Sequence, residues 1–161
     1  MKKITQFALS SFLLLAFILT GCSTETGTKK EQSWAESATF VQEFVNQDGQ
    51  KIENVFRIGD NGKLGFGEYG PFVAGKVQKY MWHFWGDKET LTKPFKVIGV
   101  NKETGEKINV FEVMGQNIAP NNGADHHLPS SMMLPSKGLW RLEAYFGDEL
   151  FGNVIVNVQE K

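Results

Sequence analysis

Hydrophobic and polar positions alternate with a period of two along much of this chain. The clearest case is residues 139–146, LWRLEAYF, where Trp140, Leu142, Ala144 and Phe146 share one face and Arg141, Glu143 and Tyr145 share the other. GDEL supplies a tight turn, and NVIVNV follows with Val154, Val156 and Val158 on one face. The pair reads as a hairpin with one buried and one wetter face. A second hairpin is predicted over residues 95–113. There PFKVIGV and KINVFEV are β-branched runs joined by NKETGE, whose Asn101 and Gly105 are turn residues. Residues 79–85, KYMWHFW, form the densest aromatic stretch. As a strand this segment puts Tyr80, Trp82 and Phe84 on one face and Met81, His83 and Trp85 on the other, ending at Gly86-Asp87.

The amino-terminal third reads two ways. In SWAESATFVQEFVN, Trp34, Ala38, Val41 and Val45 fall at helical spacing, while Phe40, Gln42 and Phe44 would share one face of a strand. Glycine at seven positions between 59 and 86 argues against long helices there. Short β runs divided by regular turn signals fit an all-β fold, a β-sandwich.

The first 22 residues stand apart from this pattern. Lys2 and Lys3 precede an apolar run over residues 7–19 that is broken only by Ser10 and Ser11, and Leu19-Thr20-Gly21-Cys22 follows. Charge, a short apolar run and small residues in that order read as a secretory signal. A spanning helix needs about 20 apolar residues. LTGC resembles the lipobox of bacterial lipoproteins at every position of that motif. The resemblance implies cleavage after Gly21 and a diacylglyceryl thioether on Cys22. Cys22 is the only cysteine of 161 residues, so no disulfide forms within the chain. Lipidation would remove a free thiol that is a liability in an oxidising compartment, and two or more acyl chains anchor stably.

The expected organisation is a signal peptide over 1–21, a lipidated cysteine with tether over 22–33, and one domain over 34–161. The tether STETGTKKEQS has no large apolar residue and spans roughly 18 Å as a flexible coil. After cleavage 15 basic residues face 18 acidic ones, a formal charge of −3 with no basic stripe. Nucleic acid is not an expected partner.

KGLWRLEAYFGDELFGNVIVNV resembles the last two strands of bacterial immunoglobulin-like domains, in which a Gly-x-Trp/Tyr strand precedes a valine-rich final strand. MWHFWG then takes the place of the core-tryptophan strand, with Trp82 inward. With the lipobox, the chain resembles small, mostly uncharacterised immunoglobulin-like lipoproteins of Bacillus and its relatives. The resemblance implies an immunoglobulin-like antiparallel β-sandwich held by packing, without the antibody-type disulfide, and no assigned reaction.

Candidate chemistry is sparse. GFGEYG (residues 65–70) satisfies G-x-G-x-x-G, but Pro71-Phe72 follows where a dinucleotide site needs a helix; it reads as a glycine-rich turn before a strand. No G-x-S-x-G or H-E-x-x-H occurs. Asp60, Asp87, Asp125 and Asp148 stand beside Asn or Gly or in turn sequences, where a carboxylate closes the turn. His83 reads as a hydrogen-bonded rim residue. ADHHLPSSMML gathers His126, His127, Met132 and Met133, the imidazole and thioether groups of a copper site. Adjacent residues of an extended chain face opposite ways, however, so at most one of each pair converges. The favoured reading is a polar loop leading into a strand whose Met and Leu cover the core. The expectation is therefore a lipid-anchored, extracytoplasmic, non-enzymatic binding or assembly module at the cell membrane. Its partner would be an envelope protein or wall component, and it would need no cofactor and no metal. Metal handling through the His/Met loop is the alternative.

Overall fold

The computed structural model describes residues 33–115 and 117–161. Nine strands are present there: β1 (Thr39–Val45), β2 (Lys51–Ile58), β3 (Leu64–Glu68), β4 (Gln78–Phe84), β5 (Phe95–Asn101), β6 (Lys107–Val113), β7 (His126–Met132), β8 (Gly138–Phe146) and β9 (Glu149–Val158). One short helix, α1 (Lys88–Leu91), joins β4 to β5, with Asp87 accepting from the Thr90 amide as its cap. The strands form two antiparallel sheets, ordered β1-β2-β3-β4-β7 and β6-β5-β8-β9.

The period-two pattern explains why the sheets face each other. From β4, Tyr80, Trp82 and Phe84 point inward, and from β8 so do Trp140, Leu142, Ala144 and Phe146, all at most 2% exposed. Val154, Val156 and Val158 of β9 complete the core. A two-residue turn at Gly147-Asp148 closes β8 onto β9, with Gly147 at φ 61°, a conformation glycine adopts without penalty. Trp82 lies edge-on to Phe66 and Phe95 and stacks on Phe84, arrangements that favour the ring quadrupoles. Its indole N–H donates to Ser130 Oγ at 3.0 Å.

The fold is the predicted immunoglobulin-like sandwich, with β3, β4 and β7 opposed to β6, β5, β8 and β9. Trp82 is inward as expected, but its strand is not the core-tryptophan strand. That strand belongs beside the last two strands, a place β5 fills, whereas β4 pairs with β3 and β7 in the opposite sheet. The amino-terminal segment is a strand and not a helix: β1 pairs with β2 over its whole length, from Thr39↔Arg57 to Val45↔Lys51.

The β8 face expected to be wetter is covered. Residues 33–38 form a strap, in which the Trp34 ring lies 4.7 Å over the Arg141 guanidinium. Beneath it Glu143, 7% exposed, accepts from Arg141 Nε at 3.0 Å and from Tyr145 Oη at 2.9 Å. Ser37 ties the strap to β9 through Ser37 N–Ile155 O and Ile155 N–Ser37 Oγ, both 2.9 Å. Buried Arg57 holds it from the other sheet, donating to Ser37 O at 2.7 Å and pairing with Glu36 and Glu68.

Candidate functional site

Strand β3 carries the sequence LGFGE, and its alternation sorts large residues from glycines. Leu64 and Phe66 enter the core, while Gly65 and Gly67 fall on the outer face of the five-stranded sheet. GFGEYG is thus mostly strand and not a turn before one. Register then builds the outer face row by row. Ile58, Gly65, His83 and His127 are cross-strand neighbours, as are Phe40, Phe56, Gly67, Met81 and Pro129. Gly67 in the middle strand, with large residues on both sides, leaves a trough with backbone in its floor, while Gly65 makes room for the Phe56 ring.

This groove encloses about 760 Å3, within the range of about 300–1,000 Å3 usual for small-molecule sites. Phe40, Gln42 and Asn54 wall one side; Met81, His83 and Trp85 wall the other. The Phe56 ring leans over Gly65, where a Cβ would lie 2.5 Å from its Cε1. That position sets Phe56 edge-on to His83, with centroids 5.4 Å apart, and to Trp85 at 6.3 Å. The Trp85 indole is fixed by donating to Gly123 O at 2.8 Å. A second depression of about 510 Å3 continues the groove, sharing Tyr69 and Met81 with the first.

His83 is the polar centre of the groove. It is 7% exposed, its Nδ1 lies 3.1 Å from Met81 O, and its Nε2 has no partner. Burial, with a smaller contribution from His127, holds its pKa below the ordinary histidine value. The ring is therefore neutral at pH 7, with Nδ1–H donating to Met81 O and Nε2 left as a bare acceptor. It is more deeply buried than the rim residue the sequence suggested.

The His/Met stretch does not gather into one centre. Strand alternation turns His126, Leu128, Ser130 and Met132 inward, while His127 and Pro129 face out and Met133 beyond the strand is 41% exposed. His126 and Met132 stand at opposite ends of β7, about 20 Å apart at 3.3 Å per residue. His126 Nδ1 accepts from the Ala119 amide at 3.0 Å, and His127 Nδ1 contacts Ala119 O at 2.6 Å. Both imidazoles thereby hold the preceding loop against β7, and Met132 covers the core. Among the described residues no group of three or more His, Cys, Asp or Glu side chains is placed to hold a metal ion.

The carboxylates do structural work of a longer reach than expected. Asp60 accepts from the Asn153 amide and side chain at 2.8 and 2.9 Å, joining the β2–β3 turn to β9. Asp125 accepts from Gly86 N at 2.9 Å, and Asp148 pairs with Lys96. Only Asp87 closes its own turn, as the helix cap. Leu19, Thr20, Gly21 and Cys22, the lipobox and its cysteine, lie outside the described residues.

Residues 25–156 match the family described as a domain of unknown function, DUF4871. The chain belongs to this family. No curated protein matches it. The DUF4871 chain is similar in structure to an X-ray structure described as that of "a Putative Lipoprotein from Bacillus anthracis", with a TM-score of 0.57 and 20% sequence identity. The alignment covers 83% of this chain and 92% of the other, and at that identity the likeness is one of fold.

Proposed function

We propose that the chain is a lipid-anchored, extracytoplasmic binding module without catalytic activity, and that the groove on the outer face of the five-stranded sheet is its binding surface. One observation carries the reading: a trough with Gly67 in its floor and aromatic rings in its walls holds a buried imidazole whose Nε2 has no partner. Buried polar atoms are almost always hydrogen-bonded, and each exception calls for an explanation; of the unpartnered atoms among the described residues, His83 Nε2, His126 Nε2 and Asn153 Oδ1, that of His83 belongs to the groove. The described residues offer no nucleophile–base pair beside the groove that would make it catalytic; Glu68, its one carboxylate, is engaged by Arg57.

The address rests on LTGC and the lone Cys22, and the description of the Bacillus anthracis structure as a lipoprotein is in keeping with it. Partners would then be an envelope protein or a wall component. Two measurements test the proposal. The wild-type chain, expressed in a Gram-positive host, should incorporate radioactive fatty acid, and Cys22→Ala should not; labelling of the alanine variant would refute the anchor. In detergent, where the acyl anchor cannot hold it, the chain should also co-sediment with purified envelope from which the lipid has been extracted, and Phe40→Ala with Tyr69→Ala, on the groove rim, should abolish this. Undiminished co-sedimentation of that double variant would refute the groove as the binding surface.

A further inference from the structure

We infer that the groove takes a neutral saccharide chain, seated on its aromatic rings and donating a hydroxyl to His83 Nε2. The inference rests on the reading of the chain as a binding module and names its ligand class. The first argument is charge. No cation lines the first depression, and its single carboxylate, Glu68, is already bound by Arg57. A phosphate, carboxylate or other anion would find nothing to neutralise it there, and a free cation nothing unengaged to pair with. The remaining polar side chains free to bond a ligand, the Gln42, Asn54 and Asn122 amides and the Tyr69 hydroxyl, both donate and accept.

The second argument is the sense of the hydrogen bond that His83 lacks. With Nδ1–H committed to Met81 O, Nε2 accepts and does not donate. Its ligand must bring a donor, and a polyol does so while presenting C–H faces to the rings. Nε2 is closed off in this conformation by the rings around it. Phe56 is one of these rings, and at its cross-strand neighbour Gly67 the Tyr69 hydroxyl is the nearest group, 3.9 Å from where a Cβ would lie. Seating the hydroxyl on Nε2 therefore requires the Phe56 ring to leave its place over Gly65.

The third argument is shape. Two depressions joined at Tyr69 and Met81 make an elongated channel, uncharged apart from Glu68 around His83 and bordered by Lys79 at its far end, suited to an oligomer more than to a single ring. A peptide added as a further strand would use a sheet edge, whereas this channel crosses the sheet's face, where the backbone groups of β3 are spent on β2 and β4.

The test uses the full chain in a sugar-free zwitterionic detergent, titrated with chitotetraose, cellotetraose and maltotetraose and, separately, with an uncharged extended octapeptide. Binding is read from NMR shifts of the Trp85 indole N–H and the His83 ring. At least one tetrasaccharide should give saturable shifts. Phe40→Ala and Tyr69→Ala, at residues 50% and 70% exposed, should each weaken it tenfold or more without moving the unfolding midpoint. His83→Phe, which keeps a flat ring but removes the acceptor, should weaken it about tenfold. The inference is overturned if no tetrasaccharide gives saturable shifts, if the octapeptide saturates the groove instead, or if His83→Phe binds as tightly as wild type. Envelope co-sedimentation that survives while all three saccharides fail removes the ligand class and leaves the binding module standing; loss of both removes both.

Discussion

The hydrogen bond from Trp82 to Ser130 gives a sharp test of how the core is specified. Trp82 is fully buried, Ser130 is 4% exposed, and the 3.0 Å contact joins adjacent strands of one sheet inside the sandwich. Ser130→Ala removes the acceptor and leaves the indole N–H in an apolar core with no partner among the surrounding rings. That should cost about 1–3 kcal/mol, the penalty for stranding a buried donor. In a Trp82→Phe background no donor remains to be stranded, so adding Ser130→Ala should cost less than about 0.5 kcal/mol. The coupling between the two sites is then about 1–2 kcal/mol, a size characteristic of residues in direct contact. Urea unfolding of the four proteins at pH 7, followed by near-UV circular dichroism with a shared m-value, measures it. Equal costs of Ser130→Ala in both backgrounds would show that the indole does not depend on Ser130, and the account of the core polar pair would fail.

Three further outcomes are expected. Glu143→Ala should destabilise by about 2 kcal/mol, because it strips partners from Arg141 and Tyr145 beneath the Trp34 strap; a cost below 0.5 kcal/mol in chemical denaturation would mean that the strap leaves this face wet. Gly65→Ala should cost about 1–3 kcal/mol, since its Cβ would lie 2.5 Å from Arg57 O and from the Phe56 ring, whereas Gly67→Ala should be near neutral; equal melting temperatures for the two would refute the trough geometry. Stability should decline as pH falls below about 6.5, the ordinary histidine value. His83 and His126 both have pKa values lowered chiefly by burial, so the unfolded chain binds protons there before the folded one does. His126→Gln should flatten the slope of unfolding free energy between pH 7 and pH 5.5; an unchanged slope would refute a burial-depressed His126.

How much of this was legible in the sequence depended on whether a feature was local. The β8–β9 hairpin and the faces of β4 followed from alternation alone, because side chains of a strand must point to opposite sides. Whether residues 39–45 form a helix or a strand was not local: pairing with β2 decided it. Arg141 and Glu143 looked wet by the same alternation, yet a strap more than 100 residues away in sequence covers them. The groove was missed for a related reason. Gly65 and Gly67 look like turn residues when read singly, and become a seat for Phe56 and a piece of floor only when β2 and β4 bring Phe56, Met81 and His83 alongside. The available signal was their spacing of two, with Leu64 and Phe66 in the alternate positions.

The attachment of β9 bears on when the molecule can fold at all. Its bonds reach back 118 residues to Ser37 and 93 residues to Asp60, and its three valines complete the core. A chain delivered amino-end first therefore has a strap held by Arg57 of β2 but not by β9, and a β2–β3 turn without its Asn153 anchor, until Glu149–Val158 follows. Long-range closures of this kind are slow, and here they all wait on the same ten residues. The last strand to be made is thus the one that locks the first described residues in place, so that the two ends of the domain are completed together.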